Sequence, residues 1–154
     1  MSCTGKGIVS KEDDVPLGEN WINIHVISTA GKYLEGNTMN HFPAPFNLSK
    51  LNGGDEMVFL ISESIPAGTN LKSIPIGFIE FGIPSIQRII VAIPLDEDIK
   101  GPRIKNFRDL LFDYESMKRM LENWLIYSEY PEKFSYFQWK DELSAMQWLK
   151  EKYL

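Results

Sequence analysis

The periodicity of the chain changes at Pro94, and that change restricts the folds available to it. Before Pro94 the apolar residues alternate or gather in short runs between glycines and prolines; after it they recur at helical spacing. Residues 21–27 (WINIHVI) alternate apolar with polar, which predicts a strand with one buried face. Gly31, Gly36, Asn37, Asn40, Pro43, Pro45 and Asn47 then permit only loop and short extended pieces. Apolar runs at 57–61, 74–81 and 88–93, separated by turns at 66–69 and 82–85, read as strands, and their close spacing predicts antiparallel neighbours. Beyond Pro94, Met117, Met120, Leu121, Trp124, Leu125 and Ser128 form the stripe of a helix from Tyr114 to Tyr130, which Pro131 ends. A short strand at 134–137 leads to a second helix from Asp141, with Leu143, Met146, Leu149 and Tyr153 on one face. Strands first and helices last is the order of an α+β domain, and closing the strands into a small barrel under two helices removes their edges.

The 154 residues suffice for one core, with residues 1–19 expected as a flexible segment and 20–154 as a single domain. A net charge of -5 gives no electrostatic reason to approach nucleic acid. The basic cluster Lys100, Arg103 and Lys105 follows Asp96, Glu97 and Asp98 and reads as a solvated loop. Cys3 is the sole cysteine, which rules out an internal disulfide and a cysteine-based zinc site and fits a reducing compartment. No stretch has the length of a signal peptide or membrane span, so the expectation is a cytoplasmic protein with no membrane partner.

One segment raises a chemical question. KLNGGDEMVFL, residues 50–60, sets a glycine turn and two acids before an apolar run, as either a metal site or a polar turn into a buried strand. Gly54-Asp55 followed by Val58-Phe59-Leu60-Ile61, the turn Ile65-Pro66-Ala67-Gly68-Thr69, Ile74-Pro75-Ile76-Gly77-Phe78-Ile79, and Arg88-Ile89-Ile90-Val91-Ala92-Ile93-Pro94 together resemble the soluble inorganic pyrophosphatase family. Ile104-Lys105-Asn106-Phe107-Arg108-Asp109-Leu110 is similar to that family's Ile-Lys-Asp-x-x-Asp-Leu loop, and Trp124-Leu125-Ile126-Tyr127 and Trp139 stand where its last two helices carry aromatics. The order of these pieces over residues 21–154 carries the resemblance. It implies a closed, OB-like, five-stranded antiparallel β-barrel with two C-terminal α-helices, assembly into homo-oligomers, and magnesium-dependent hydrolysis of pyrophosphate.

That reaction needs several hard cations on clustered carboxylates to neutralise the anion and supply hydroxide. The resemblance leaves Asp55 as the remnant catalytic and metal-binding carboxylate, while Gly53 and Val58 stand where two further acids are required. Glu56 takes the place of a proline, His25 that of a first-strand glutamate, and residues 81–87 (FGIPSIQ) carry no acid in place of an acid-rich hairpin. Lys32, Arg88 and Tyr127 are the implied phosphate-binding residues. Lys32-Tyr33 matches a family pair, Arg88 replaces a lysine, Ser128 loses one, and residues 34–41 lack the usual arginine. Phe42 and Phe46 keep two rings of the family's tyrosines without their hydroxyls. The structural alternatives are a turn residue for Asp55, a satisfied barrel histidine for His25, solvated charges for Lys32 and Arg88, and packing roles for Tyr127, Trp124 and Trp139. The expectation is a divergent homologue that has lost catalysis and acts by binding, either of a protein partner or of a phosphate- or pyrophosphate-like anion. The alternative is an active metal-dependent phosphohydrolase with magnesium on a rearranged set of Asp55, Glu56, Glu80 and Asp96 or Asp98.

Overall fold

A computed structural model describes residues 16–29, 46–82, 85–125 and 136–154. These contain six strands, β1 (Ile22–Thr29), β2 (Phe46–Leu51), β3 (Met57–Ile61), β4 (Asn70–Gly82), β5 (Ile86–Pro94) and β6 (Tyr136–Asp141). Three helices accompany them, α1 (Phe107–Phe112), α2 (Glu115–Trp124) and α3 (Glu142–Tyr153). The strands pair in the order β1-β2-β3-β5-β4, with β4 returning to β1 so that five of them close a ring, and β6 is added on β4. The architecture is the α+β barrel with C-terminal helices that the sequence implies.

Closure depends on the length of β4. Asn70 to Ser73 pair with β1, residues 77–82 pair with β6, and the opposite edge carries β5. A register shift between Pro75 and Gly77 separates the two halves, and such a shift bends a strand. With both edges of β4 taken, β3 pairs instead with the free edge of β5, in parallel, from Met57↔Ile89 to Leu60↔Ala92. Turn spacing predicts β3 beside β4 and antiparallel pairing throughout; the structure corrects both points for this one pair.

Strand β3 is buried on two faces, which is why its sequence is continuously apolar. Phe59 and Ile61 join a cluster with Leu110, Leu121 and Leu125 from the α1–α2 side. Val58 and Leu60 join a second cluster with Ile24, Phe78 and Ile90 from the sheet and Ala145 and Leu149 from α3. Leu17, from the expected flexible segment, is buried in this second cluster and bridges to Ile22; residues 1–15 lie outside the described residues.

The helical half differs from its sequence reading in three places. Residues 104–110, read as a loop, include the first four residues of α1, whose first turn is capped by the Asn106 side chain accepting from the Asp109 amide at 2.9 Å. Trp139 does not open the last helix: it sits in β6 opposite Ile79, and its indole N–H donates to Glu122 of α2 at 2.5 Å. The helix begins after Asp141, whose carboxylate accepts from the Ser144 amide at 2.9 Å. Its inner face holds Ala145 and Leu149 with Met146, Trp148 and Tyr153, whereas Leu143 is 74% exposed and off that face. The expected helix to Tyr130 is formed as far as residues 124–125, and residues 126–130 lie outside the described residues. No helix among the described residues is long and apolar enough to cross a membrane.

Candidate functional site

The acid turn closes the β2–β3 hairpin. The Leu51 amide donates to the Glu56 carbonyl at 2.8 Å and the Gly54 amide to the Leu51 carbonyl at 3.0 Å. Gly53 has φ +86 and open space around the place of a Cβ, so it serves the left-handed backbone of the turn. Gly54 is small for a different reason: a Cβ there would collide with the Tyr153 hydroxyl and the Glu56 carboxylate.

The two acids have opposite fates. Asp55 is exposed, whereas Glu56 is only 8% exposed and is held by the last turn of α3. Its Oε2 accepts from the Lys152 ammonium and its Oε1 from the Tyr153 hydroxyl. Burial by itself would push the Glu56 carboxyl up, but the hydrogen bonds from Lys152 and Tyr153 outweigh it and hold the group below the usual carboxylate range. Burial pushes the Tyr153 phenol up to about 12, aided by its hydrogen bond to Glu56 and the charges of Glu56 and Asp55. Lys152 is therefore the cation on this carboxylate, and Tyr153 stays protonated as a donor.

Arg88 meets α3 about one turn before Lys152, at Trp148. It stands opposite Glu80 in the β4–β5 register, its Nε donates to the Glu80 carboxylate at 2.8 Å, and its guanidinium lies 5.1 Å from the ring centroid of Trp148. Trp148 packs on Phe78 with ring centroids 5.2 Å apart. The Arg88 side chain is 37% exposed, and an ion pair and an aromatic face hold it, so the reading of Arg88 as a simple solvated charge is incomplete. Lys32 and Tyr127, the other implied phosphate-binding residues, lie outside the described residues, as do Phe42, Ile83 and Ser128.

Among the described residues, the donors do not fit a magnesium cluster. Val58, at an implied acid position, is 0% exposed among apolar neighbours, and Gly53 offers no side chain. His25 bonds Asn70 through Nδ1 at 2.7 Å, between neighbouring strands. Asp96 accepts from the Asp98 amide at 2.9 Å within its own loop. Among the described residues, no three His, Cys, Asp or Glu side chains gather as a metal site would require. The alternative set of Asp55, Glu56, Glu80 and Asp96 or Asp98 is not brought together.

A cleft of about 750 Å³ that shares no residue with this turn lies beside the 95–105 connection. It is lined in part by Ile61, Ile74 and Ile93 and by Lys100, Arg103 and Lys105. The basic connection, read as a solvated loop, is pinned there: the Lys100 amide donates to Glu63, that of Arg103 to the Tyr114 hydroxyl and that of Lys105 to Asp109, at 2.8, 3.1 and 2.9 Å.

Lys152, Tyr153 and Trp148 are the site residues that sequence reasoning missed in these roles. Tyr153 was placeable on the inner face of α3, but the contact of Lys152 with Glu56 spans 96 positions and leaves no local signature.

No protein-family model matches the sequence, and no curated protein does. Solved structures do. An inorganic pyrophosphatase from Neisseria gonorrhoeae is similar with a TM-score of 0.67 and 19% identity, over 89% of this chain and 92% of that one. An inorganic pyrophosphatase from Schistosoma japonicum has a TM-score of 0.66 and 15% identity, over 91% and 68%. A truncated vacuolar soluble pyrophosphatase from Trypanosoma cruzi, solved in complex with PPi, has a TM-score of 0.61 and 14% identity, over 94% and 72%. With its five-stranded ring, added strand and C-terminal helices, this chain has the fold of the inorganic pyrophosphatases.

Proposed function

We propose that the chain is a binding protein on a pyrophosphatase scaffold and does not hydrolyse pyrophosphate. The observation that carries this reading is the state of the acid turn: Glu56 is bound by Lys152 and Tyr153, and Val58 is sealed in an apolar cluster. Pyrophosphate brings several negative charges, and two unit charges 4 Å apart at an effective dielectric near 20 repel by about 4 kcal/mol. Each missing electrostatic group costs on the order of 10²–10³ in rate. A single exposed Asp55 supplies little of the required metal binding.

The ligand class in this reading is a phosphate- or pyrophosphate-like anion, met by Arg88 with Lys32 and Tyr127, and magnesium has no role in holding it. Homo-oligomeric assembly and a cytoplasmic setting belong to the same proposal, on the strength of the fold and the cysteine-poor sequence. Phosphate release from pyrophosphate in Mg²⁺ or Mn²⁺ is expected to match the protein-free rate. Turnover above that rate that Asp55→Ala abolishes would overturn the proposal in favour of the divergent phosphohydrolase.

A further inference from the structure

The cleft beside the 95–105 connection is remote from the acid turn. Strands β3 and β5 run in parallel, with Asp55 and Arg88 at their entry ends and Ile61 and Ile93 at or near their exits. At ~3.3 Å per residue, β3 separates its two ends by about 13 Å. The cleft of about 750 Å³ opens at the exits, within the range of about 300–1,000 Å³ that holds a small organic ligand. Its floor is apolar: Ile61 and Ile104 are buried, and Ile74 and Ile93 stand opposite each other in the β4–β5 register.

Backbone bonds fix the connection over this floor. The Lys100 carbonyl accepts from the Glu63 amide at 2.7 Å, while the Lys100 amide donates to the Glu63 carboxylate at 2.8 Å. A Cβ on Gly101 would come within 3.3 Å of the Ser62 Cα, so the chain there lies close against the end of β3. The same bonds decide what becomes of the charges. Glu63 and Asp109 spend carboxylate oxygens on the backbone amides of Lys100 and Lys105 rather than on their ammonium groups. Among the described residues, Lys100, Arg103 and Lys105 form no ion pair. Asp96 and Glu97 share the lining, and Asp96 accepts from the Asp98 amide. Three cations against two carboxylates leave the lining with a net charge of +1.

We infer that this cleft is a binding site for a small organic monoanion, an apolar body carrying a single carboxylate head. The body covers an isoleucine floor that water would otherwise wet, and the head takes charge-assisted hydrogen bonds from the cations above it. A net charge of +1 balances one negative charge and not the several of pyrophosphate, so this site differs in ligand class as well as in place from the anion site proposed at Arg88.

Calorimetric titration of the full chain with octanoate, an apolar monocarboxylate, tests this. Saturable binding of one octanoate per chain is expected at millimolar concentration. Neither acetate, which has the head without the body, nor pyrophosphate is expected to displace it. The triple variant Lys100→Met, Arg103→Met, Lys105→Met keeps the side-chain stems and the backbone bonds, and is expected to bind octanoate about tenfold more weakly or worse. If that variant does not fold, the readout becomes wild-type affinity at raised ionic strength, which is expected to fall as the cations are screened. The absence of saturable octanoate binding would overturn the inference. So would displacement by acetate or pyrophosphate, or an affinity that the loss or screening of the cations leaves unchanged. Pyrophosphate turnover, and pyrophosphate binding at Arg88, bear on the proposed function alone.

Discussion

Val58→Asp writes back the acid that the family resemblance implies, and it is predicted to damage the fold rather than to rebuild a site. Val58 is fully buried, pairs with Ser49 and Ile90 on the flanking strands, and shares its cluster with Ala145 and Leu149 of α3. Losing the buried isopropyl group costs about 1.5–3 kcal/mol. The introduced carboxyl must then be protonated to stay in that cluster, which from an ordinary value near 3.9 costs about 4 kcal/mol at pH 7. The sum of about 6 kcal/mol is comparable to the entire stability of a typical domain, about 5–15 kcal/mol. The sign with pH follows from the raised folded pKa of such a group. Its penalty is small near the unfolded pKa and grows as pH rises toward the folded one, opposite to the usual carboxylate. Urea denaturation of wild type and variant at pH 7 and near pH 4.5 reads this directly. The difference in unfolding free energy is expected to be larger at pH 7 by about 3 kcal/mol. A variant within about 1 kcal/mol of wild type at pH 7, or a difference that does not change with pH, would refute the placement of this position in the core.

Two other perturbations bear on the same turn. Because the folded pKa of Glu56 is held low, its contribution to stability is complete above the unfolded value and disappears as pH falls through the folded one; melts across acid pH should therefore fall more steeply for wild type than for Glu56→Gln, and parallel curves would remove Glu56 from the account. Gly54→Ala should cost about 1–3 kcal/mol by overpacking against the Tyr153 hydroxyl. Tyr153→Phe in the same chain should recover part of that loss, and strictly additive effects in a denaturation cycle would show that the two residues do not meet.

The strands were legible because burial on a sheet face imposes a period of two, and glycine and proline mark where each strand must end. Pairing was less legible. The parallel β3–β5 contact follows from how the long strand β4 divides its edges, and no residue of β3 announces it. Helix α1 escaped because six residues are too few for a periodic stripe; only Asn106 and Asp109, at cap spacing, signalled it. Trp139 reads equally well at a helix start and in a strand until the partner of its N–H, Glu122, is known. The Arg88–Glu80 pair was within reach, since residues at equal distances from a hairpin turn face each other. The absence of acids at residues 53 and 58 was visible at once, but the burial of Glu56 was not, because its partner Lys152 lies 96 positions away in the sequence.

Direct titration of Mn²⁺ into the wild-type chain, followed by calorimetry, shows whether the acid turn holds catalytic metal. A catalytic pyrophosphatase cluster must hold several ions on carboxylate oxygens, whereas here the Glu56 carboxylate already carries an ammonium and, among the described residues, Asp55 joins no cluster of three ligands. No saturable, stoichiometric heat is expected at millimolar Mn²⁺. Two or more ions bound per chain, lost together in Asp55→Ala, would contradict it.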